Sequence, residues 1–106
     1  MSESAILTAI CEYLAYRNHF FYRHSQIPVP IFHEGGQRGF RRFPKYSLKG
    51  VPDIVLVKEG KYIGLEVKVP KGKQSPDQKI FESALKEAGG QYAIVHSIDE
   101  VQALGL

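Results

Sequence analysis

The sequence predicts an α/β fold in which helices flank a mixed central sheet. Residues 54–57 are continuously apolar and residues 62–69 alternate, on either side of a turn at Glu59-Gly60, which is the pattern of an antiparallel hairpin. Residues 75–88 have the caps and spacing of a helix, and residues 92–96 have the composition of a strand. Because a strand–helix–strand unit forms a right-handed parallel crossover, we expect antiparallel and parallel pairs in one sheet.

The first third of the chain predicts one helix and then extended segments. Apolar residues recur at helical spacing between Ile6 and Leu14, which predicts a helix over about 4–17. Aromatic residues predict a strand over 20–24, and two prolines favour an extended course for 26–32.

The last third predicts two helices that begin with side-chain caps. Ser75 and Gln78 form a capping box at the start of the longer helix. Its expected buried stripe consists of Ile80, Phe81, Ala84, Leu85 and Ala88. Ser97 and Glu100 repeat the capping box before a short final helix. The predicted order is therefore helix, three strands, helix, strand and helix, within one domain.

Composition narrows the class of protein. The 106 residues, 1–106, carry a net charge of +3 and a pI near 9.0, a mild bias toward polyanionic partners. Cys11 is the only cysteine, so the chain cannot form an internal disulfide, which is consistent with a reducing compartment. His19, His24 and His33 lack the spacing of a zinc site, so we interpret them as ordinary polar residues. No apolar run approaches the roughly 18 residues of a membrane span, and no signal peptide is visible, so we expect a cytoplasmic protein without a membrane partner.

The hairpin brings two carboxylates together. With Glu59-Gly60 as the turn, the numbers of paired residues add to 119. Asp53 and Glu66 also add to 119, so they are cross-strand neighbours whose Cβ atoms lie about 4.5–5.5 Å apart. Lys68 lies two residues beyond Glu66 and therefore on the same face.

Two carboxylates at that distance indicate a site for a divalent cation. They repel each other, and a hard cation removes the conflict by binding their oxygens. A lysine beside them can hold a water or a phosphate oxygen. The arrangement therefore favours metal-assisted hydrolysis of a phosphodiester. The alternative is a solvated strand face on which Glu66 and Lys68 form a weak surface pair.

These residues resemble the signature of the PD-(D/E)XK nuclease superfamily, in which Pro52-Asp53 precedes Glu66-Val67-Lys68. The fuller string is similar to the VRR-NUC branch of that superfamily. It comprises Gly50-x-Pro52-Asp53, Leu65-Glu66-Val67-Lys68, Pro70-Lys71-Gly72-Lys73 and Ser75-x-x-Gln78. The resemblance implies a restriction-endonuclease-like αβββαβ core, the same order that the patterns predict.

The resemblance also implies a metal site and roles for single residues. Asp53, Glu66 and the backbone carbonyl of Val67 are expected to hold Mg²⁺ or Mn²⁺. Lys68 is expected to orient the attacking water or to neutralise the transition state.

Two further residues enter through the resemblance. The family places an acid of the first helix near the metal, which singles out Glu12, although composition alone makes it a solvated glutamate. Gln78 acquires a second role near the metal, although helix capping is a sufficient reason for it.

A basic segment leads into Asp53. Residues 38–49 contain five cations and no acid: Arg38, Arg41, Arg42, Lys45 and Lys49. Such side chains neutralise phosphates, and the three aromatic residues between them can stack on bases. The alternative is a solvated loop whose aromatic residues fold back onto the core. Lys71 and Lys73 add a second basic edge.

Three functions are consistent with these features. The first is a metal-dependent, structure-selective DNA endonuclease, since stand-alone members of the resembled family are associated with phage and bacterial DNA processing and with four-way (Holliday) junctions. The second is a non-catalytic module that binds branched or single-stranded DNA and has no need to keep the acids and the lysine together. The third is a small basic assembly protein, which leaves the paired acids unexplained.

A four-way junction as substrate predicts a homodimer. One metal site cuts one strand at a time, and two cuts related by a two-fold axis match a C₂ dimer. The candidate contact surface is the stretch Phe20, Phe21, Tyr22, Ile27, Val29, Ile31 and Phe32. The alternative is that these residues complete the core of the monomer.

Overall fold

The computed structural model describes residues 1–24, 30–32, 38–40 and 45–106, with the backbone alone at 30–32 and 38–40. Its elements in chain order are α1 (Glu3–Tyr16), β1 (Phe20–Arg23), β2 (Pro30–Phe32), β3 (Arg38–Phe40), β4 (Ile54–Lys58), β5 (Lys61–Val67), α2 (Pro76–Glu87), β6 (Gln91–Val95) and α3 (Ile98–Ala103). None of the helices in these described ranges is long and apolar enough to cross a membrane.

Four strands form one mixed sheet in the order β1-β4-β5-β6. β4 pairs antiparallel with both β1 and β5, whereas β5 pairs parallel with β6. α2 connects the parallel pair, as a crossover requires. The predicted α/β class, with a mixed sheet flanked by helices, is therefore confirmed.

The β4–β5 hairpin has the register that the sequence predicts, because its paired residue numbers add to 119 throughout. Glu59 and Gly60 have φ of 53° and 76°. Positive φ at both central residues is typical of a type I′ turn, whose twist matches that of the flanking strands. One further step along this register places Asp53 opposite Glu66.

The hydrophobic core lies between the sheet and the helices α1 and α3. α1 begins at the cap Ser2, whose Oγ accepts the N–H of Ala5, and its apolar stripe packs on inward-facing residues of the strands. The core contains Ile6, Leu7, Ile10, Leu14, Ile54, Leu56, Ile63, Leu65, Val67, Val95, Val101 and Leu106. Since side chains alternate along a strand, Glu66 lies on the opposite face, toward α2.

The stripe predicted to be buried on α2 is wrong. All 12 residues of α2 are described and none is buried: Ile80 is 67% exposed, Ala84 is exposed, and Phe81 and Leu85 are half-buried. Ala88, which ends the helix, is also exposed. The reason is that α2 lies against the edge strand β6, and its first turn meets the sheet through a polar side chain.

The segment from residue 38, expected to be a loop, contains the strand β3. It pairs antiparallel with β2 in a second, two-stranded sheet. Three residues with a central glycine are too short to show the alternation from which a strand is predicted.

Candidate active site

Asp53 lies just before β4 and is held from both sides. Its backbone oxygen accepts the N–H of His24 at 2.8 Å, which extends the β1–β4 pairing by one residue. Its Oδ2 accepts the N–H of Val67, the last residue of β5, at 2.9 Å. In an extended strand the N–H and C=O of one residue point to the same side, so the carbonyl of Val67 also faces Asp53.

Two glycines allow the segment before Asp53 to pack closely against neighbouring elements. Gly50 has φ of 74°, and a Cβ there would lie 2.3 Å from the backbone oxygen of Asp77 in the first turn of α2. A Cβ on Gly64 would lie 2.6 Å from Cγ of Pro52. The segment that ends at Asp53 therefore packs against both the start of α2 and β5.

Glu66 is 1% exposed and is the buried charged residue of the described chain. Its Oε1 accepts a hydrogen bond from Nε2 of Gln78 at 3.0 Å and lies 4.0 Å from Nζ of Lys68. Oε1 of Gln78 accepts the N–H of Ser75 at 2.8 Å as part of the capping box. Gln78 therefore serves the cap of α2 and contacts the acid at the same time.

Burial and a second acid outweigh the cation Lys68 beside Glu66. Its pKa is raised from 4.5 to about 8, first by burial, then by a side-chain hydrogen bond that protonated Glu66 shares with Asp53, and then by the charge of Asp53. Lys68 lowers this pKa, and Glu3 on α1 raises it. In the absence of a bound cation, Glu66 therefore holds a proton at neutral pH.

The site fits a divalent cation with oxygen ligands. Oε2 of Glu66 is buried, and when the carboxylate is ionised no residue that the structure describes donates a hydrogen bond to it. Such an oxygen is unfavourable unless a cation or a water binds it. Within the described ranges no three His, Cys, Asp or Glu side chains form a metal-binding group. Two carboxylates and the Val67 carbonyl would thus leave the remaining positions to water and phosphate, as Mg²⁺ prefers.

Asp53 faces an open cleft of about 480 Å³, and Glu66 lies buried behind it. Arg23 at the end of β1 and Lys49 before β4 line it together with Asp53. Leu7 of α1 and the first turn of α2 complete its walls. Because cations on the walls attract phosphates while the acids require a metal to do so, the cleft suits a polyanionic chain.

Three of the other residues predicted to bind nucleic acid are exposed lysines. Lys71 and Lys73 are exposed in the loop between β5 and α2. Lys45 is exposed, and its Nζ lies 5.3 Å from the ring centre of Tyr46. The predictions for the side chains of Arg38, Arg41 and Arg42 lie outside the described residues.

On α1, Glu3 is an exposed acid whose charge has a small effect on the site. It contributes to the raised pKa of Glu66, and it precedes the cleft residue Leu7 by one helical turn. Glu12 is exposed, about 13 Å further along the axis and half a turn round the helix from Glu3. The described residues that line the cleft do not include Glu12, whose role stays a prediction.

Sequence reasoning missed Glu3, Arg23 and the proximity of His24. The position of Glu3 could have been predicted, since it lies in the first turn of α1 and shares a face with Leu7. For Arg23 and His24 the signal was the register of β1, which cannot be read before its partner strand is known.

A mixed sheet with paired acids and a lysine at the end of its central hairpin, beside a cleft lined by Arg23 and Lys49, fits a nuclease-type domain. A family model for the VRR-NUC domain matches residues 6–99, and the chain belongs to this family. This confirms the resemblance in the sequence and makes DNA the implied substrate. A solved structure described as a VRR_NUC domain superposes with a TM-score of 0.63, at 19% identity, over 96% of this chain and 91% of that chain, which shows a shared fold. A comparison with curated protein sequences gives no match.

Proposed function

We propose that this protein is a metal-dependent, structure-selective DNA endonuclease that acts on four-way junctions as a homodimer. The observation that supports metal-dependent cleavage is the pair of acids Asp53 and Glu66. Glu66 is buried with one oxygen unpartnered within the described structure, beside an aspartate that is fixed to the end of β5. Within the described structure, two adjacent carboxylates beside the single cation Lys68 leave negative charge uncompensated, which destabilises a fold, and a divalent cation compensates it.

Asp53, Glu66 and the carbonyl of Val67 are the groups that would hold Mg²⁺ or Mn²⁺. When bound, the cation supplies charge stabilisation at the phosphate and a lower pKa for the attacking water. The hairpin register, continued by one residue, supports this set, since it sets the carboxylates opposite each other, and the N–H of Val67 holds Asp53.

Lys68 and Gln78 act on the acids from the side of α2. Lys68 is only 14% exposed, and an ammonium group beside Glu66 can contact a phosphate oxygen or the attacking water. Gln78 occupies Oε1 of Glu66, which leaves Oε2 for the cation. Glu3 and Glu12 are the candidates on α1 for an acid that acts through water.

A second candidate function is a module that binds branched or single-stranded DNA without cutting it. Arg23 and Lys49 in the cleft support this function as well. It does not account for Glu66, since a surface that only binds phosphates gains nothing from a buried acid beside a second carboxylate.

The apolar side chains on β1 support the dimer. Phe20 and Tyr22 are 69% and 50% exposed, and Val57, which pairs with Phe20, is 39% exposed. Exposed apolar patches mark interfaces, and a second copy of the chain is the partner that a two-fold symmetric junction requires. Phe21 instead packs against the core. The remaining predicted contacts, Ile27, Val29, Ile31 and Phe32, have side chains outside the described residues.

A cleavage assay on linear, flap and four-way DNA, each with Mg²⁺, Mn²⁺ or EDTA, tests the proposal. We expect cleavage that requires the cation and prefers the four-way substrate, and a dimer in sedimentation at micromolar concentration. Binding without cleavage under every condition would favour the second candidate. Cleavage of flaps alone by a monomer would keep the endonuclease and remove the junction assignment.

A further inference from the structure

Two buried polar atoms on either side of Asp53 lack a partner. They are Oε2 of Glu66 and Nε2 of His24, and neither has a hydrogen-bond partner within the ranges that the structure describes. His24 follows β1 and lines the same cleft as Asp53. A buried polar atom without a partner is unfavourable, so a pair of them flanking Asp53 suits a hydrated cation held by that residue.

The register of the sheet sets these three residues in one row. The N–H of His24 donates a 2.8 Å hydrogen bond to the backbone oxygen of Asp53, which pairs the two residues. The hairpin register, continued by one residue, sets Asp53 opposite Glu66. His24 is three residues from the core-facing Phe21, and Glu66 is one residue from the core-facing Leu65, so both side chains face away from the core. Neighbouring strands are about 4.8 Å apart, which places His24 and Glu66 within about 10 Å of each other.

We propose that His24 is a positioning residue of the cation site and that its Nε2 hydrogen-bonds a water in the hydration shell of the cation. The inference rests on the metal-dependent function proposed above. Among the described residues no three His, Cys, Asp or Glu side chains form a group that could hold a metal ion, so His24 is assigned a contact through water and not a place among the ligands. Mg²⁺ keeps several waters where a protein offers one or two carboxylates. An imidazole nitrogen donates or accepts according to its tautomer, and either serves a water.

The binding of Mn²⁺ alone, measured from the electron paramagnetic resonance signal of the free ion, tests this role without any cleavage. His24→Phe keeps a planar ring and removes both nitrogens, whereas His24→Gln keeps a group that can donate and accept. His19→Phe is the matched control. Nε2 of His19 is likewise buried without a partner in the described chain, but His19 lies near Lys58, at the far end of β4. Thermal unfolding without metal verifies that each variant folds, and His24→Leu replaces His24→Phe if the phenylalanine destabilises the fold.

We expect His24→Phe to weaken Mn²⁺ binding by about tenfold or more, the usual effect of removing a group that supports metal ligands. Competition between Mg²⁺ and Mn²⁺ should show that His24→Phe loses a similar factor in its affinity for Mg²⁺. His24→Gln should retain most of the affinity for Mn²⁺, and His19→Phe should not change that affinity. Unchanged affinity in a folded His24→Phe variant would overturn the inference. A loss far larger for Mn²⁺ than for Mg²⁺ would also overturn it, because that selectivity indicates direct imidazole ligation.

Asp53→Asn separates this inference from the proposed function. If Asp53→Asn leaves Mn²⁺ binding intact, the metal site itself is refuted. If Asp53→Asn abolishes binding while His24→Phe has no effect, only the role of His24 is refuted.

Discussion

Gln78 donates a hydrogen bond from Nε2 to Oε1 of Glu66 over 3.0 Å while its own Oε1 accepts the N–H of Ser75 over 2.8 Å. The capping box of α2 thereby fixes which end of the amide points at the acid. Because the start of α2 also packs on Gly50, one helix terminus positions the segment before Asp53 and the side chain of Glu66.

This double role can be separated by comparing Gln78→Ala with Ser75→Ala. Each variant removes a side-chain bond of the cap, so each should lose about 1 kcal/mol of stability in urea denaturation. Only Gln78→Ala frees Oε1 of Glu66, so it alone should slow DNA cleavage, by about tenfold or more. Equal cleavage rates in the two variants would show that Gln78 is a capping residue and nothing else.

The raised pKa of Glu66 predicts a pH-dependent stability for the metal-free protein. The folded state binds a proton between 4.5 and about 8 that the unfolded state does not. The stabilisation is therefore full below about pH 4.5 and is lost as the pH rises through about 8, at no more than about 1.4 kcal/mol per pH unit. Urea denaturation in EDTA at about pH 5 and about pH 9 measures it, and Glu66→Gln should remove this part of the dependence.

The stabilisation by divalent cations should have the opposite pH dependence, because a cation binds ionised Glu66. Divalent cations require the carboxylate form, so added Mg²⁺ should raise the free energy of unfolding more at about pH 9 than at about pH 5. An equal effect of Mg²⁺ at both pH values, or the same effect in Glu66→Gln, would place the cation elsewhere.

The central hairpin could be predicted from sequence because its register is a local property. A turn at Glu59-Gly60 and strict alternation determine which residues face each other, and the pairing of Asp53 with Glu66 follows by counting. The capping box at Ser75 is local for the same reason.

The features that sequence reasoning missed depend on long-range packing. The exposure of Ile80 on α2 follows from the position of that helix over the edge strand β6, which no periodicity within the helix reveals. The influence of Glu3 on Glu66 depends on the packing of α1 near the sheet, which the pattern of the helix alone does not give. The position of His24 depends on which strand pairs with β1.

Lys68→Ala should lower the cleavage rate far more than the affinity for DNA. Removing one group that stabilises charge in the transition state costs about 10²–10³ in rate, whereas one phosphate contact among many contributes little to binding. Lys71→Ala, which removes an exposed lysine from the neighbouring loop, is the control and should affect binding slightly and the rate little. Parallel losses of rate and affinity in Lys68→Ala would make it a docking residue.

Arg41→Ala combined with Arg42→Ala should weaken DNA binding and flatten its dependence on salt. Each phosphate contact that is lost should reduce the slope of log affinity against log salt by about 0.9 on duplex DNA. The matched control is Lys61→Ala at the hairpin turn, an exposed cation at the far end of β5 from Glu66, which should leave the slope unchanged. A slope that is the same in the double variant and in the unaltered protein would place the segment away from the nucleic acid.

The most direct test of the central claim is DNA cleavage by Asp53→Asn and by Glu66→Gln, measured with binding of the same DNA substrate. Each change keeps the shape of the side chain and removes an anionic ligand for the cation. The account predicts that both variants fold and bind DNA but do not cleave it at any concentration of Mg²⁺ or Mn²⁺. Cleavage at the unaltered rate by either variant would contradict it.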